Sequence, residues 1–494
     1  MGLHSFRRYV LIECLVVVLT FATALISGAT FQAAGNSSFA FVHVTVIDGT
    51  GAPAQPNQTV LVSGDRITAV GPSAGVPIPR GVRAIDATGR YLIPGLWDAH
   101  VHTRYEGIDH LRLLVAHGIT STRNMSGPWQ HLPEIHSWRQ EIAKRERIGP
   151  RLLTAGPVID GPGSGRPTNV EVNNADEARQ AVRRVKSEGA DFVKVYNLLS
   201  RESYFAIAAE AKAQGLPFVG HIPIAVGADE ASDAGQLSVE HMDGILWSSS
   251  AQEEQVRKQA QEWRPGGPGT PGPVSAKFLF ESFSVIKLRA LAERLKKNQT
   301  AVVPTLSLYR NRFEGRNDRS AIAAADRLRY VPPAYAEEWK RLQLLPPALA
   351  RRPTTEEDER LQFQQCLTVV RELHKAGVRI LAGTDVGTSF QIPGISLHDE
   401  LSLLVQAGLS TMDALQAATR NPARAFKLAD QGTIEKGMRA DLLLLDSNPL
   451  DNIENIRKIG TVVAAGRVFE RNELDAILAD IQRVANQWTG TPTR

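Results

Sequence analysis

The chain has 494 residues, of which 43% are hydrophobic and 22% charged, an ordinary composition for a globular protein with room for one large and one small domain. Its 56 Lys and Arg residues outnumber Asp and Glu by only four and are scattered, so nothing in the charge pattern indicates nucleic-acid binding. Cys14 and Cys366 are too few for a disulfide framework or a cysteine-based zinc site.

The first 29 residues have the pattern of a secretory signal peptide. Two arginines precede an apolar run over residues 9–26, and the small residues 27–29 follow it as a cleavage site. An uncleaved membrane anchor over 9–26 is the alternative, because the run approaches the roughly 20 residues of a membrane span. Glu13 within the run disfavours that alternative. The sequence therefore predicts an exported protein, periplasmic or extracellular, that meets a membrane only if this segment is retained.

Strand-like patterns occupy both ends of the remaining chain. Residues 39–90 alternate apolar and polar positions between Gly-Asp and Asp-Gly turns, which predicts short strands and hairpins. A matching pattern returns over residues 430–472, as in "ADLLLLDS" and "GTVVAAGRVFE". Together these ends predict a small β-sandwich domain, followed by a C-terminal helix or tail over residues 473–494.

The middle of the chain, residues 91–429, alternates short β-branched segments such as "DFVKVY" and "PFVGHI" with amphipathic helical segments. With the opening strand this makes eight strand–helix units, and that number at this length predicts an α/β fold with a (β/α)8 TIM-type barrel. Two connections are longer than the barrel needs, around residues 245–300 and 306–376. The first contains a Pro/Gly run over 264–273, which predicts a flexible surface loop.

Chemically active side chains fall at the ends of the predicted strands. In "WDAHVH" two histidines are two residues apart, a spacing that places both on one face of a strand. Because the ends of parallel strands meet at one mouth of a barrel, these residues predict a shared metal site. The candidate ligands are His100, His102, Lys194, His221, His241 and Asp385.

Each candidate has a structural explanation when it is taken alone. Lys194 fits a surface lysine whose aliphatic stem is buried, His221 fits a core histidine, and Asp385 fits a helix cap. A common position at equivalent strand ends is harder to explain in that way. The joint pattern therefore favours the metal site.

The motifs of the chain resemble those of the amidohydrolase superfamily, in particular its imidazolonepropionase-like and Xaa-Pro dipeptidase-like branch. The resemblance covers nearly the whole chain after residue 29. It rests on "IDATGRYLIPGLWDAHVH", "GITSTRNMSG", "AATRNPARAF" and "GTIEKGMRADLLLLDSNPL".

The resemblance implies a binuclear site with two divalent metal ions. His100 and His102 would bind the more buried ion with Asp385, and His221 and His241 would bind the second ion. Imidazole and carboxylate donors suit zinc first, with manganese or iron as the other candidates.

The resemblance also implies that Lys194 is carboxylated and bridges the two metals. A lysine ammonium has no lone pair, whereas the carbamate formed with carbon dioxide is an anionic two-oxygen ligand. Asp385 would move the proton from the attacking water to the leaving amine. Tyr196, which shares the strand face of Lys194, is a candidate for contact with the reacting group and equally an aromatic residue of the rim.

The function expected from this resemblance is hydrolysis of a C–N bond. The expected substrates are small molecules or dipeptides, Xaa-Pro dipeptides first, or N-acyl amino acids, and whether the protein forms a homo-oligomer stays open. Two segments depart from the pattern expected of relatives. Arg123-Asn124 stands where an Arg-Asp pair is expected, and "DGPGSGRP" over residues 160–167 lacks the Gly-Gly-His expected in that loop of dipeptidase-like members. Both departures concern substrate specificity.

Three alternatives stay open. A lactonase or organophosphate-type esterase on the same barrel would keep the metals and change only the pocket. A mononuclear enzyme acting on a cyclic amide, or a deaminase, would pair His221 with a nearby glutamate, which "GHIPIAVG" lacks. An inactive surface binding module would be expected to have lost a ligand, and none is missing.

Overall fold

Helices and parallel strands alternate through the middle of the chain in the computed structural model, which describes residues 38–103, 107–262, 274–317, 325–344 and 356–491. The signal segment predicted over residues 1–29 and the Pro/Gly run over 264–273 lie outside the described residues. Residues Phe39–Arg494 form one compact unit. The architecture is α/β, as the sequence predicts.

The strands in chain order are β1 Ser38–Val46, β2 Gln55–Ser63, β3 Arg66–Pro72, β4 Arg83–Asp86, β5 Tyr91–Pro94, β6 Leu96–Val101, β7 Ile119–Asn124, β8 Arg151–Thr154, β9 Ile159–Asp160, β10 Val170–Glu171, β11 Val193–Val195, β12 Phe218–Gly220, β13 Ser238–Glu240, β14 Ala301–Val303, β15 Leu442–Leu445, β16 Ile459–Ala464 and β17 Arg467–Glu470.

The helices are His110–Ala116, His131–Ala143, Ala175–Ser187, Arg201–Ala213, Ala228–Asp233, Asp243–Ser248, Glu253–Glu262, Ala276–Glu281, Val285–Lys297, Leu306–Asn317, Ala325–Leu328, Pro333–Leu344, Glu356–Ala376, Ile395–Gln406, Thr411–Ala417, Arg420–Ala425 and Arg471–Gln487, with a 3-10 helix over Ile453–Arg457. No helix in these described ranges combines the length and the apolar character that a membrane span requires.

The central strands form two parallel sheets. One has the order β6-β7-β8, and the other has the order β10-β9-β11-β12-β13-β14. A parallel bridge between Ala155 and Phe192 joins the end of the first sheet to the start of β11. Strands β6, β7, β11, β12 and β13 are buried along their whole length, as expected of parallel strands covered by helices.

The segment predicted as the eighth strand, "VRILAGTD", does not form a regular strand. It lies between β14 and β6, with parallel bridges from Val302 to Ile380 and from Val101 to Val386. Gly383 permits this close approach, because a Cβ atom there would lie 2.6 Å from Val303 Cγ1 and 3.0 Å from His100 Cβ. Backbone hydrogen bonds nevertheless join the segment to both neighbours: Leu381 N–H donates to Val302 O on one side, and Ala99 N–H donates to Ala382 O on the other.

The two ends of the chain form one eight-stranded sheet in the order β17-β16-β15-β5-β1-β2-β3, with β4 paired to β1. The central strand β15, four consecutive leucines, is buried on both faces. Leu443 and Leu445 belong to the large core of the chain, whereas Leu442 and Leu444 pack in a second cluster with residues of β1 and β2. The union of both ends in one sheet agrees with the sequence analysis, and its folding into a sandwich stays a prediction.

The two enlarged connections contain helices where they are described. Helices Glu253–Glu262, Ala276–Glu281 and Val285–Lys297 lie in the first, and the long helix Glu356–Ala376 ends the second. Cys366 is buried within that last helix. The tail predicted over residues 473–494 contains the helix Arg471–Gln487.

Candidate metal centre

His100 and His102 lie at the end of β6, and their side chains meet the carboxylate of Asp385. His100 is 1% exposed and His102 is 9% exposed. Their Nε2 atoms lie 3.3 Å and 3.1 Å from Asp385 Oδ1. The three residues each offer a ligand atom, all within 4.8 Å of one another, which is the spacing required to hold one metal ion.

The remaining candidates surround the same cavity. His241, directly after β13, has its ring centroid 4.8 Å from those of both His100 and His221. Lys194 in β11 is 2% exposed and lines the cavity with them. The cavity has a volume of about 220 Å³ and is bounded by all six candidate ligands and by Tyr196. The structure therefore brings together every residue that the sequence analysis assigned to the metal site.

The four histidine rings are fixed by hydrogen bonds that each ring makes through Nδ1. The pairs are His100 with Glu240 Oε2 at 2.8 Å, His102 with Ser126 Oγ at 2.8 Å, His221 with Asn197 Oδ1 at 2.8 Å and His241 with Thr305 Oγ1 at 2.7 Å. With Nδ1 used in this way, Nε2 is the nitrogen on the opposite side of each ring, available as a metal ligand.

Three residues of the site have left-handed backbone conformations. His241 has φ of 64°, Asp385 of 62° and Thr305 of 48°. Such angles are uncommon for residues with a Cβ atom, most of all for a β-branched threonine, and cost on the order of 1–3 kcal/mol each. Two of these residues are candidate ligands and the third hydrogen-bonds a candidate ligand, so the backbone strain acts directly on the candidate ligands.

A buried ion pair supports His100. Arg123 is fully buried and donates to Glu240 Oε1 at 2.7 Å, to Ser238 Oγ at 2.9 Å and to the backbone oxygen of Ala99 at 2.6 Å. Despite burial, Arg123 and His100 hold the pKa of Glu240 below its ordinary value, so the carboxylate stays ionised. Arg123, Glu240 and His100 thus form one continuous polar chain.

A second buried carboxylate fixes the segment that carries Asp385. Asp98 accepts hydrogen bonds from the backbone amides of His100 and Thr384, each at 3.1 Å, and from Thr384 Oγ1 at 2.7 Å. Burial raises the pKa of Asp98 to about 7. The side chain therefore joins β6 directly to the residue before Asp385.

None of these supporting residues is among the candidate ligands predicted from the sequence. A signal for Glu240 was present, since it precedes His241 in a short strand that is otherwise free of charge. Asp98 carries a similar signal, because it lies two residues before His100 and shares its strand face. No local pattern identifies Ser126, Asn197 or Thr305 as partners of the histidines.

The electrostatic environment favours neutral nitrogen donors. Burial lowers the pKa of His241 to about 3 and holds that of His221 well below its ordinary value. Burial also lowers the pKa of Lys194 to about 8. Burial acts in the opposite direction on Asp385, but its contacts with His100 and His102 outweigh burial and hold its pKa well below the usual range. Neutral imidazoles beside an ionised carboxylate are the protonation states that a metal ion needs.

The outer wall of the cavity carries aromatic and charged groups. The ring centroid of Tyr196 lies 4.0 Å from that of His221, and burial raises the pKa of its hydroxyl. The Cζ atom of Arg166 lies 4.9 Å from the centre of the Tyr196 ring. Asp243 and Arg312 also line the cavity. Tyr196 is thus placed at the site, and its role in the reaction stays a prediction.

The donor set fits divalent metal ions. His100, His102 and Asp385 already have the spacing of a single-ion site, and His221 and His241 add two imidazoles beside it. Imidazole and carboxylate together suit zinc, manganese and iron. The fixed ring orientations give this fit a structural basis that is independent of the spacing along the chain.

Part of the chain matches a known family model. Residues 286–469 match the family model described as "Amidohydrolase family". Over 488 aligned residues the chain is 24% identical to ochratoxinase of Aspergillus niger, covering 86% of this chain and 85% of that protein. Short alignments to adenine deaminases, among them adenine deaminase 3 of Rhizobium meliloti (strain 1021), cover only 11–12% of those proteins.

Solved structures extend the likeness to nearly the whole chain. The structure titled "AH, Bottromycin amidohydrolase" aligns with a TM-score of 0.69 and 25% identity, covering 92% of both chains. A Xaa-Pro dipeptidase with bound methionine aligns with a TM-score of 0.63 and 20% identity, covering 88% of this chain and all of that one, and at this identity shows the fold alone. The chain is thus similar to the amidohydrolase family over residues 286–469 and, at about 25% identity or less, to solved amidohydrolase structures over nearly its whole length.

Proposed function

We propose that the protein is an exported binuclear metal-dependent hydrolase that cleaves the C–N bond of an amide. The observation that carries this proposal is the set of four histidines whose Nδ1 atoms are all hydrogen-bonded, with Nε2 on the opposite side of each ring, around a cavity that also contains Asp385 and a buried lysine. Structural histidines have no reason to share one orientation around one cavity.

We infer that the two parallel sheets close into a (β/α)8 barrel. The bridges from Ala155 to Phe192, from Val302 to Ile380 and from Val101 to Val386 support this inference, because they link the sheets and the segment around Gly383 in a ring. The candidate ligands then lie at the carboxyl ends of the strands, where barrel enzymes hold their active sites.

We propose further that Lys194 binds metal as a carbamate. Among the described residues no carboxylate lies within 4.0 Å of its Nζ, although the side chain is only 2% exposed. With its pKa lowered to about 8, a substantial fraction of the amine is neutral near physiological pH and can combine with carbon dioxide. Two metal ions beside it, zinc first, would stabilise the resulting anion.

Bound metal ions would supply an acidified water and polarise the scissile carbonyl. The residues of the chain perform the remaining tasks. Asp385, which is held ionised, accepts the proton of the attacking water at its carboxylate and delivers it to the nitrogen of the leaving amine. The pair of Arg123 and Glu240 holds the His100 ring in place.

The proposed substrates are dipeptides, Xaa-Pro dipeptides first, or N-acyl amino acids. A cavity of about 220 Å³ accommodates a small substrate, and similar structures include a protein titled Xaa-Pro dipeptidase. Ochratoxinase, which is 24% identical over 86% of this chain, adds a reason to include ochratoxins in a test. Lactones and esters form the second candidate class, because they would require the same metals and only a different pocket.

The first test measures amine release from a panel of dipeptides and N-acyl amino acids. The protein, with and without residues 1–29, is loaded with zinc in bicarbonate buffer, and the bound metal is counted by elemental analysis. We expect turnover of some panel members, a loss of more than about 100-fold in the Lys194→Ala variant and a fall from two bound metals toward one.

The matched control is Lys186→Ala, which removes an exposed lysine from a surface helix. Full turnover by the Lys194→Ala variant would contradict the carbamate role. If no panel member releases amine while two metals stay bound, amide hydrolysis is contradicted. Lactones or esters then become the favoured substrate class. Fractionation of cells that express the full chain tests the proposed export.

A further inference from the structure

A guanidinium without a carboxylate partner lies in the wall of the metal cavity. Arg166 lines the cavity, and within the described part of the chain no Asp or Glu oxygen lies within 4.0 Å of its side-chain nitrogens. Arg312, which also lines the cavity, has no such ion pair with a described residue either. Of the other lining residues outside the candidate ligands, only Asp243 is acidic. The outer wall thus carries an excess of positive charge.

Arg166 is separated from the candidate ligands by one aromatic ring. Its Cζ atom lies 4.9 Å from the centre of the Tyr196 ring, and that ring lies 4.0 Å from the His221 ring. A guanidinium stacked on an aromatic face keeps its five N–H donors in the plane, directed toward the edges of the stack.

The loop that carries Arg166 is held in place by its own hydrogen bonds. Glu171 Oε1 accepts from the backbone amide and from Oγ of Ser164, both at 2.9 Å, and Ser164 Oγ accepts from the Arg166 amide at 3.3 Å. At the start of the loop, Asp160 accepts from the backbone amides of Gly161 and Leu198. The loop is therefore joined to the residues that follow Lys194 and presents Arg166 at a defined place.

We propose that Arg166 binds a carboxylate of the substrate. It thereby selects amides that carry a free carboxylate over amides that carry no charge. This inference rests on the proposed function and narrows it to amides of amino acids whose α-carboxylate is free. Arg166 is exposed to solvent and lines the cavity, and its guanidinium matches a carboxylate with a planar pair of donors, so a charge-assisted contact of this kind discriminates against a neutral group. C-terminal amides, simple esters and lactones without an acid group would leave Arg166 without a partner.

The test compares two substrates that differ only in charge, N-benzoylglycine and N-benzoylglycinamide, by the release of benzoate from the metal-loaded protein. We expect the wild type to favour the acid in kcat/KM. In the Arg166→Gln variant we expect the acid-to-amide ratio of kcat/KM to fall about 30- to 100-fold, mainly through KM. Arg166→Lys should restore part of the ratio.

The matched control is Arg183→Gln, which removes an exposed arginine paired with Glu210 at 3.3 Å outside the cavity, and it should leave the ratio as in the wild type. Equal losses for acid and amide in Arg166→Gln would assign the residue a structural role and overturn the inference. A wild type without preference for the acid would overturn it as well.

A binding measurement separates failure of this inference from failure of the proposed function. Calorimetry with the uncleavable amines N-benzylglycine and N-benzylglycinamide should show a preference for the carboxylate that is lost in Arg166→Gln. If that preference is present but no amide is hydrolysed, the proposed function is wrong and the anion site stands. If amides are hydrolysed but the preference is absent, the anion site is wrong.

Discussion

At the scale of single residues, the metal centre depends on charged groups that water does not reach. Arg123 is stacked between Phe192 and Phe426, with its Cζ atom 5.6 Å and 5.1 Å from their ring centres. Removing one partner of a buried ion pair leaves an uncompensated charge, which costs far more than the pair itself contributes. The Arg123–Glu240 pair is therefore better explained by the orientation of His100 than by overall stability.

A Glu240→Gln substitution tests this dependence. It keeps the shape of the side chain but leaves Arg123 buried beside a neutral group, so we expect the free energy of unfolding to fall by about 3 kcal/mol or more. We also expect weaker zinc binding, because the His100 ring loses its carboxylate acceptor. Urea unfolding and zinc titration measure the two effects.

The control for this prediction is Asp475→Asn, which removes an ion pair with Arg471 on the exposed helix Arg471–Gln487. An exposed pair contributes little, so its loss should cost no more than about 0.5 kcal/mol. If the two variants lose similar amounts of unfolding free energy, Glu240 is not the buried charge partner that the structure indicates.

At the scale of elements, a buried glutamate joins two helices near the cavity. Glu400 lies in the helix Ile395–Gln406, and its carboxylate oxygens accept from the backbone amides of Leu306 at 2.9 Å and Ser307 at 2.7 Å. These amides begin the helix Leu306–Asn317, whose first N–H groups have no partner within the helix. Glu400 thus fixes the helix that carries the cavity residues Leu308, Tyr309 and Arg312.

Glu400 predicts a pH dependence of stability. Burial raises its pKa from 4.5 to about 7, so the folded state binds the proton more tightly than the unfolded state. This contribution to stability is complete below pH 4.5 and is lost as the pH rises through about 7, by on the order of 3 kcal/mol in total. Unfolding free energies of the wild type and Glu400→Gln, measured at pH 5 and pH 8, should therefore diverge with pH.

The comparison isolates one group, because the variant lacks it and keeps every other titrating side chain. Between pH 5 and pH 8 the wild type should lose stability relative to Glu400→Gln. A difference between the two proteins that is the same at both pH values would show that Glu400 does not titrate in this range.

At the scale of the whole molecule, the sheet built from both chain ends is packed on its two faces. Leu443 faces the large core, where its Cδ1 atom would lie only 2.7 Å from a Cβ added at Gly118. Leu444 faces the second cluster. A sheet with two apolar faces cannot separate from the rest of the chain without exposing one of them, so we expect both parts to unfold together.

Leu443→Ala measures this coupling. The side chain is fully buried, and its truncation should cost about 2–5 kcal/mol. Denaturant unfolding followed by circular dichroism and by hydrolytic activity should give coincident transitions, both shifted to lower denaturant. Ile286→Ala, at a side chain that is 78% exposed, is the control and should shift neither curve. Separate transitions would mean that the sheet and the metal centre are independent units.

The sequence by itself determined the α/β class and the strand-rich ends, and it predicted six candidate ligands, which the structure places around one cavity. The spacing of His100 and His102 fixed their common face, because strand periodicity is a local property of the backbone. The ends of the other predicted strands indicated the positions of the remaining candidate ligands. Short segments of the chain carry the information for these predictions.

Only the tertiary structure decided what surrounds those ligands. Glu240 lies 140 residues from His100 along the chain, yet their side chains share a hydrogen bond, and Arg166 reaches the cavity from a Gly-rich loop without periodicity. The same holds for the segment around Gly383, which pairs and packs closely with β6 and β14 although β6 lies far from it along the chain. Such contacts depend on how distant elements pack, and no local pattern of residues encodes that packing.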